Sequence, residues 1–374
     1  LKAYNFAMLV DVYNDVPYTE ALQGNKILQP KYDDAKVVYK NIADLLDQAI
    51  ATFTAGTPSK AFTTADPLFG SASGTEFANW ARFANSIKLR LVVKGKDKGV
   101  AFSNTTFNSV GFLQNDALVQ PGYSKTEGKQ NPMWNSWAYN AAGTAVGAAS
   151  QYVPTPWIIS FYNGTKISDE ARAKVVYKNG LNTTSNQLGY LPDAAETASK
   201  NYSGLAPSNW FIGTSATAYD RIGILKGPDA PQPLMLKAES DFLQAEANVR
   251  GIVSGSAQTN FDNGIKASYT YLYKNNAGAV TAGKDVNADF GTYKTDNPGK
   301  YLVNFELAAT DAQRIEAIIT QKYIAFNMIF GHEAFNEYKR TGYPTIAAGS
   351  NDEQRTFASI VSQSTAPDKL PTRI

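Results

Sequence analysis

The chain has 374 residues, with 35 Lys and Arg against 33 Asp and Glu, one His and no Cys. This near-neutral balance argues against nucleic-acid or membrane-surface binding driven by bulk charge, and the lack of Cys excludes disulfides and thiolate metal sites. His332 is the single histidine, so a site with two His ligands is excluded, and no apolar run reaches the ~18 residues of a membrane-spanning helix. We predict neither a cofactor nor a bound metal.

The N-terminal part has the spacing of amphipathic helices. The first helix is predicted over residues 1–13, and a turn over 14–18 ends it. Asp33 or Asp34 is expected to cap a long helix that ends near Phe53. After a Gly-, Pro-, Ser- and Thr-rich loop over about 54–75, another helix is predicted from 76 to 93. The predicted apolar stripes are Phe6, Leu9, Val10 and Tyr13; Val38, Ile42, Leu45, Ala49 and Phe53; and Phe77, Trp80, Ala84, Ile87 and Leu91.

The helical periodicity fades between about Lys98 and Pro233, where Gly, Ser, Asn, Thr and Pro are frequent. A structureless loop of this length would be unusual inside a compact domain. We therefore interpret 98–233 as a loop-rich insertion with short helices, packed on a helical scaffold. Within it, 157–162 is expected to be a short helix and 173–177 a short strand.

Helical spacing returns at residue 234. A helix over 234–250, ended by Gly251, and a second over about 257–273 together span roughly the ~34 residues of a tetratricopeptide unit. A further pair is predicted over 311–341, joined at Gly331, and a last helix at about 353–361. The stripes are Met235, Ala238, Phe242, Ala245 and Val249; Phe261, Ile265, Tyr269 and Leu272; and Ile315, Ile318, Ile319, Tyr323, Phe326, Ile329, Phe330, Ala334, Phe335 and Tyr338.

Such helix pairs cannot bury their apolar faces alone, so they are expected to stack. The sequence predicts an all-α fold of tetratricopeptide-like helix pairs with a loop-rich insertion, in a single domain over 1–374. The chain opens inside a helical pattern, so we expect it to be truncated at the N-terminus.

Aromatic side chains are frequent outside the helical stripes. The densest group lies in NPMWNSWAYN, residues 131–140, where Trp134, Trp137 and Tyr139 alternate with Asn and Ser. An aromatic ring can cover the C–H face of a sugar, and an Asn amide offers both donors and acceptors to hydroxyls. We predict that Trp134 and Trp137 contribute to a solvent-facing ligand surface, and that Asn131 and Tyr139 also bind the ligand. The alternative is that the rings only pack the insertion onto the helices. Trp157, Trp210 and Tyr219 are further candidates in the insertion, with the same alternative.

Carboxylates offer a second possible site. Glu239, Glu246 and Arg250 share one helix face, but two helical turns separate the glutamates by about 10 Å along the axis. That lies beyond the usual spacing of glycosidase carboxylates. A salt-bridge network with Arg340 is the favoured interpretation. Residues 285–289 carry Asp285, Asn287 and Asp289 but lack the spacing of an EF-hand calcium loop.

Several stretches, in this order, resemble the SusD/RagB family, and in particular its SusD-like branch. They are DVPYTEAL from Asp15, PKYD from Pro30, WARFANS and LRL from Trp80, AE and FLQAEA from Ala238, GIKAS from Gly264, RTGYP from Arg340, and the closing LPTR from Leu370. The resemblance covers nearly the whole chain.

The resemblance implies a non-catalytic, glycan-binding lipoprotein on the outer face of the outer membrane. It would cap a SusC-like TonB-dependent transporter and deliver oligosaccharides to it. Membrane attachment would occur only through a lipid anchor, whose signal peptide and cysteine are absent from this sequence. The resemblance also adds Asp66 and Phe69, because family ligand surfaces often include the loop between these two scaffold helices.

Two other functions stay open at this stage. A glycoside hydrolase on an α-helical scaffold would need two carboxylates that converge in a cleft. A tetratricopeptide-type scaffold would bind peptides in its concave groove and would have no use for the aromatic insertion.

Overall fold

The structure is a computed structural model that describes residues 1–56, 65–70, 75–186, 208–212, 221–350, 352–358 and 362–370. Within these ranges the chain is mostly helical with little strand, which confirms the predicted fold class. No helix in the described ranges is long and apolar enough to cross a bilayer.

Helices α1 (Lys2–Tyr13), α2 (Ala35–Ala55) and α3 (Glu76–Gly95) form the N-terminal part. Asp34 is the N-cap of α2, because its carboxylate accepts hydrogen bonds from the backbone amides of Lys36 and Val37. Asp33 has a different role. Its carboxylate accepts from the amides of Tyr18 and Thr19 and so holds the turn that follows α1.

The predicted stripes of these helices are only partly correct. Phe6 and Val10 of α1 are buried, whereas Leu9 and Tyr13 are exposed. In α2 the buried face is turned by about one residue from the prediction, and Leu45, Ala49 and Phe53 are only half-buried. The buried residues of α2 are Val38, Tyr39, Ile42, Ala43, Leu46 and Ile50. The docking of α2 against α1 and α3 selects this face from a helix that is apolar on more than one side.

The middle of the chain holds β1 (Ala117–Val119), α4 (Pro132–Trp137), α5 (Pro156–Ile159) and α6 (Glu170–Val176). Helix α5 confirms the short helix expected at its position. Helix α6 shows that the expected strand at 173–177 is wrong. Asp169 caps this helix by accepting from the amide of Arg172, and the two side chains also form a buried ion pair that holds the first turn.

The C-terminal part begins with β2 (Gln232–Met235), which pairs antiparallel with β1 so that Ala117 lies opposite Met235. Then follow α7 (Lys237–Val249), α8 (Ala257–Tyr273), α9 (Val286–Thr295), α10 (Asp311–Phe326) and α11 (Gly331–Thr341). Helices α7 and α8 pack closely, as do α2 and α3. Gly251 has φ +64° just after α7, as expected for a C-terminal cap.

The turn between α10 and α11 differs from the prediction. Gly331 does not end a helix in the left-handed region; it is the first residue of α11. Met328 takes the positive φ of this turn instead, at +65°. Farther on, 353–358 forms turns and bends rather than the start of a helix, and 359–361 lies outside the described residues.

Buried side chains form two main clusters. One joins α1, α2, α3 and part of α7, and includes Val38, Ile42 and Leu91. The other joins α4, α5, α6, α8 and α10, and includes Trp157 and Phe242. Helix α7 contributes to both clusters and so helps to connect the two halves of the scaffold.

Candidate functional site

The aromatic segment 131–140 is anchored by Asn131, which is buried. Its Oδ1 accepts from the amide of Trp134 at 3.0 Å and so caps α4. Its Nδ2 donates to the carbonyl of Ala230 at 2.9 Å and to the Gln232 side chain at 3.2 Å. The side chain of Asn131 therefore ties α4 to the segment before β2. Both ends of the Asn131 amide are therefore hydrogen-bonded within the protein.

Trp134 and Trp137 lie on the same short helix but in different environments. Trp134 is 2% exposed and belongs to the larger hydrophobic cluster, so the prediction that it faces solvent is wrong. The Asn131 cap sets the first turn of α4 against the core and directs Trp134 inward. Trp137 is the last residue of α4 and is half-buried at the edge of that cluster.

Two other predicted rings are also core residues. Trp157 is fully buried, and its indole nitrogen donates to the hydroxyl of Tyr323 at 3.1 Å. Trp210 is 6% exposed, and its backbone bridges to Tyr177. Both are large apolar side chains whose burial stabilises the insertion against the helices. Tyr219 lies outside the described residues.

The surface aromatic group consists of Trp137 and Tyr152, and we name this pair the aromatic platform. Their ring centroids are 4.9 Å apart, with the planes at 79°. The buried ring of Trp210 packs against Trp137, with the ring centroids 5.6 Å apart. Tyr152 is 56% exposed, and its carbonyl accepts from the buried Asn209 side chain at 2.8 Å. The platform is thus an edge-to-face pair of one exposed and one half-buried ring, packed on the buried Trp210.

Sequence reasoning missed Tyr152. It stands in Gln151-Tyr152-Val153-Pro154, away from the dense aromatic segment. Its one sequence signal is the nearby Pro154, which favours extended backbone at the residue before it and so disfavours continuation of a helix. Tyr139 is half-buried, and its ring centroid lies 6.0 Å from that of the buried Trp134.

Asp66 and Phe69 are part of the N-terminal scaffold. The Asp66 carboxylate accepts from the indole nitrogen of Trp80 at 2.6 Å. Phe69 packs edge-on against Trp80 and Phe83, at 5.3 and 6.0 Å. These contacts place both residues beside the first hydrophobic cluster, whereas the platform borders the second. The structure does not bring them together with Trp137.

The carboxylates of α7 form ion pairs, as favoured from the sequence. Glu246 binds Arg340 through both oxygens, at 2.7 and 2.8 Å, and also binds Arg250 at 2.7 Å. Glu239 pairs with Arg90. Each carboxylate is about 1% exposed and faces an arginine, an arrangement that neutralises charge inside a scaffold.

The acidic residues near α9 also have structural partners. Asp285 caps α9, and Asp289 accepts from the hydroxyl of Tyr273 at 2.6 Å. Among the described ranges, no cluster of three or more His, Asp or Glu side chains could hold a metal ion.

Comparison with protein families finds one matching model. It is the SusD-like model described as "Starch-binding associating with outer membrane", and it matches residues 1–361. No curated protein matches the sequence significantly.

Solved structures with a similar fold include a SusD homologue from Bacteroides fragilis. It has a TM-score of 0.65 and 22% identity, over 100% of this chain and 74% of its own. A chitin-binding SusD homologue from Flavobacterium johnsoniae has a TM-score of 0.60 and 19% identity, and the match covers 93% of this chain and 68% of the homologue. A further chitin-binding protein has a TM-score of 0.60 and 21% identity, and the match covers 100% of this chain and 71% of that protein. At these identities the likeness shows a shared fold.

Proposed function

Because the chain belongs to the SusD-like family of starch-binding proteins associating with the outer membrane, we propose that it captures an oligo- or polysaccharide at the cell surface and delivers it to a SusC-like TonB-dependent transporter. Membership confirms the resemblance found in the sequence. It also confirms that the protein is a non-catalytic carbohydrate-binding protein of the outer membrane rather than an enzyme. The delivery step, the transporter and a lipid anchor are parts of the proposal.

The observation that supports glycan capture best is the aromatic platform. An exposed Tyr next to a half-buried Trp offers apolar ring surface to water without gaining the stability of burial. Sugar rings have apolar C–H faces that can pack on such surfaces, with hydroxyls left for polar neighbours. The platform lies within 98–233, the stretch that we propose as the ligand-bearing insertion of a single domain. Two similar structures are described as chitin-binding, so chitin oligosaccharides are the first ligands to test.

We expect Trp137→Ala and Tyr152→Ala each to weaken glycan binding by about 1–3 kcal/mol, which is roughly 5- to 150-fold in Kd. The magnitude is taken from the stacking of nucleic-acid bases on aromatic side chains. Folding stability should change little for Tyr152→Ala, because the ring is mostly exposed. The measurement is calorimetric titration with chitin oligosaccharides, and with the best neutral glycan from an array, together with a thermal melt.

The control for these variants is Tyr32→Ala. Tyr32 is 72% exposed in the loop before α2, far along the chain from the insertion. It should bind glycan like the unchanged protein. If Trp137→Ala and Tyr152→Ala also bind normally while melting normally, the platform is not the glycan site.

We expect the protein to release no reducing sugar from any polysaccharide that it retains on an affinity gel. The two α7 carboxylates considered from the sequence, Glu239 and Glu246, are bound to arginines, whereas a hydrolase needs a carboxylate pair that flanks the scissile bond. The measurement is a reducing-end assay over many hours with purified protein. Sustained release that Glu246→Gln abolishes would reassign the protein to the hydrolases.

A further inference from the structure

A cavity of about 390 Å³ lies among α1, α2, the C-terminal end of α3, and α11. Neither Trp137 nor Tyr152 lines this cavity, and α1, α2 and α3 border the first hydrophobic cluster, whereas Trp137 borders the second. The cavity is therefore separate from the proposed glycan platform. Its volume lies within the range of small-ligand sites.

The deeper charges in the cavity wall are already paired. Lys94 binds Asp11 and Glu333, each at 2.7 Å. Arg340 binds Glu246 and Glu337, as part of the same buried network. The second oxygen of Asp11 accepts from the hydroxyl of Tyr39. Arg250 also binds Glu246, and Lys322 lies within 4.0 Å of Glu333 and Glu337, so these four carboxylates face four cations.

The rim of the cavity carries Lys36, Lys98 and Lys339, all of them exposed. Within the described ranges none of the three forms an ion pair; Lys339 only approaches the ring of Phe335, at 5.8 Å. The nearby Asp15 and Asp34 accept hydrogen bonds from backbone amides at the start of α2. Their carboxylates therefore interact with the positive end of the α2 dipole. The rim is therefore a group of ammonium donors without carboxylate partners.

Amide groups complete the lining. Asn14 and Asn336 both face the cavity. The Nδ2 of Asn336 is buried and has no hydrogen-bond acceptor in the described part of the chain. A buried donor without an acceptor is unfavourable, and a ligand oxygen reached by rotation of the amide would satisfy it. Asn side chains also suit sugar hydroxyls, because they offer donors and an acceptor together.

We propose that this cavity binds a carboxylate-bearing sugar, such as a uronate or a sialic acid at the end of an oligosaccharide. The rim lysines supply charge-assisted hydrogen bonds to the carboxylate, and the two Asn amides and the Lys stems contact hydroxyls and the ring. The assignment to a sugar rests on the proposed function of the protein. An acidic peptide would satisfy the charge but would also need partners for its backbone amides.

The test uses two matched pairs of probes: α-1,4-digalacturonate against α-1,4-galactobiose, and sialyllactose against lactose. Calorimetric titration should detect at least one acidic member and not its neutral partner, and raising NaCl from about 50 to about 500 mM should weaken that binding. The double variant Lys98→Gln/Lys339→Gln should lose about tenfold or more in affinity for it. Its melting temperature should stay near that of the unchanged protein, because both lysines are exposed.

The matched control is Lys125→Gln, an exposed lysine that does not line the cavity. It should bind the acidic sugar like the unchanged protein. The proposal is overturned if neither acidic sugar binds, or if the double variant binds it normally. Tighter binding of a Glu-rich hexapeptide than of either sugar would assign the cavity to an acidic peptide instead.

The two sites can fail separately. Neutral glycan binding that depends on Trp137, without any acidic sugar binding, contradicts only the cavity. Acidic sugar binding that depends on Lys98 and Lys339, without any neutral glycan binding, contradicts only the platform.

Discussion

Phe242→Ala is expected to lower the free energy of unfolding by about 3–5 kcal/mol, because it removes a large core side chain and leaves a cavity. Phe242 is fully buried and lies edge-on to Phe261, with centroids 6.2 Å apart. Gly264 of α8 approaches the ring so closely that a Cβ at this position would stand 2.5 Å from it. The ring therefore fills the narrow contact between α7 and α8.

The measurement is urea denaturation of both proteins, with the slope of the transition checked for two-state behaviour. Phe242→Leu is the control, because it keeps most of the volume and should cost clearly less than Phe242→Ala. A loss below about 1 kcal/mol for Phe242→Ala would mean that this face of α7 is not core.

Arg340→Met is expected to destabilise the protein by about 3–5 kcal/mol, because it removes the arginine that binds two buried carboxylates at once. Arg340 binds Glu246 and Glu337, whose side chains are only 1% and 2% exposed. The methionine keeps the apolar stem, so the loss reports mainly the missing charge. The control is Arg314→Met, which removes a largely exposed pair with Asp311 and should cost about 1 kcal/mol or less.

The same network makes acid stability informative. Burial alone would raise the pKa of Glu337, but Arg340, Lys322 and Lys94 outweigh burial and hold its pKa well below the usual range. The folded pKa is depressed, so this contribution is present above the usual Glu pKa of about 4.3 and is lost as the pH falls below it. Denaturation curves at successive pH values should therefore show a loss of stability below that point. In Arg340→Met the difference in the free energy of unfolding between neutral and acidic pH should be smaller than in the unchanged protein. An unchanged pH profile in the variant would contradict the assigned role of Arg340.

Sequence reasoning identified the helical scaffold well where several local signals agreed. The stripe of α8, which runs from Phe261 to Leu272, is buried as predicted, and Asp34 and Gly251 mark helix ends as expected. It also favoured the pairing of Glu246 with Arg340, 94 residues apart. Spacing and capping are properties of neighbouring residues, so they can be read without a three-dimensional arrangement.

The strand expected at 173–177 shows where local signals were insufficient. The run Ala173–Tyr177 contains β-favouring residues, but the Asp169 cap and the buried pair of Asp169 with Arg172 support a helix instead. Propensity over a few residues is weak, and the ion pair that outweighs it is held in place by Tyr269 of α8.

The sequence by itself determined the family, the helix-pair scaffold and the aromatic richness of the insertion, because each depends on residue type and local spacing. Only the tertiary structure decided that Trp134 is buried while Trp137 meets Tyr152 at the surface. Only the tertiary structure, likewise, brought Lys36, Lys98 and Lys339 to one cavity rim. The physical reason is that exposure and clustering depend on how elements dock. Trp134 and Trp137 are only three residues apart on one helix but have different surroundings, whereas Lys98 and Lys339 are 241 residues apart and line the same cavity. In both cases packing, and not position in the sequence, decides which neighbours a side chain has.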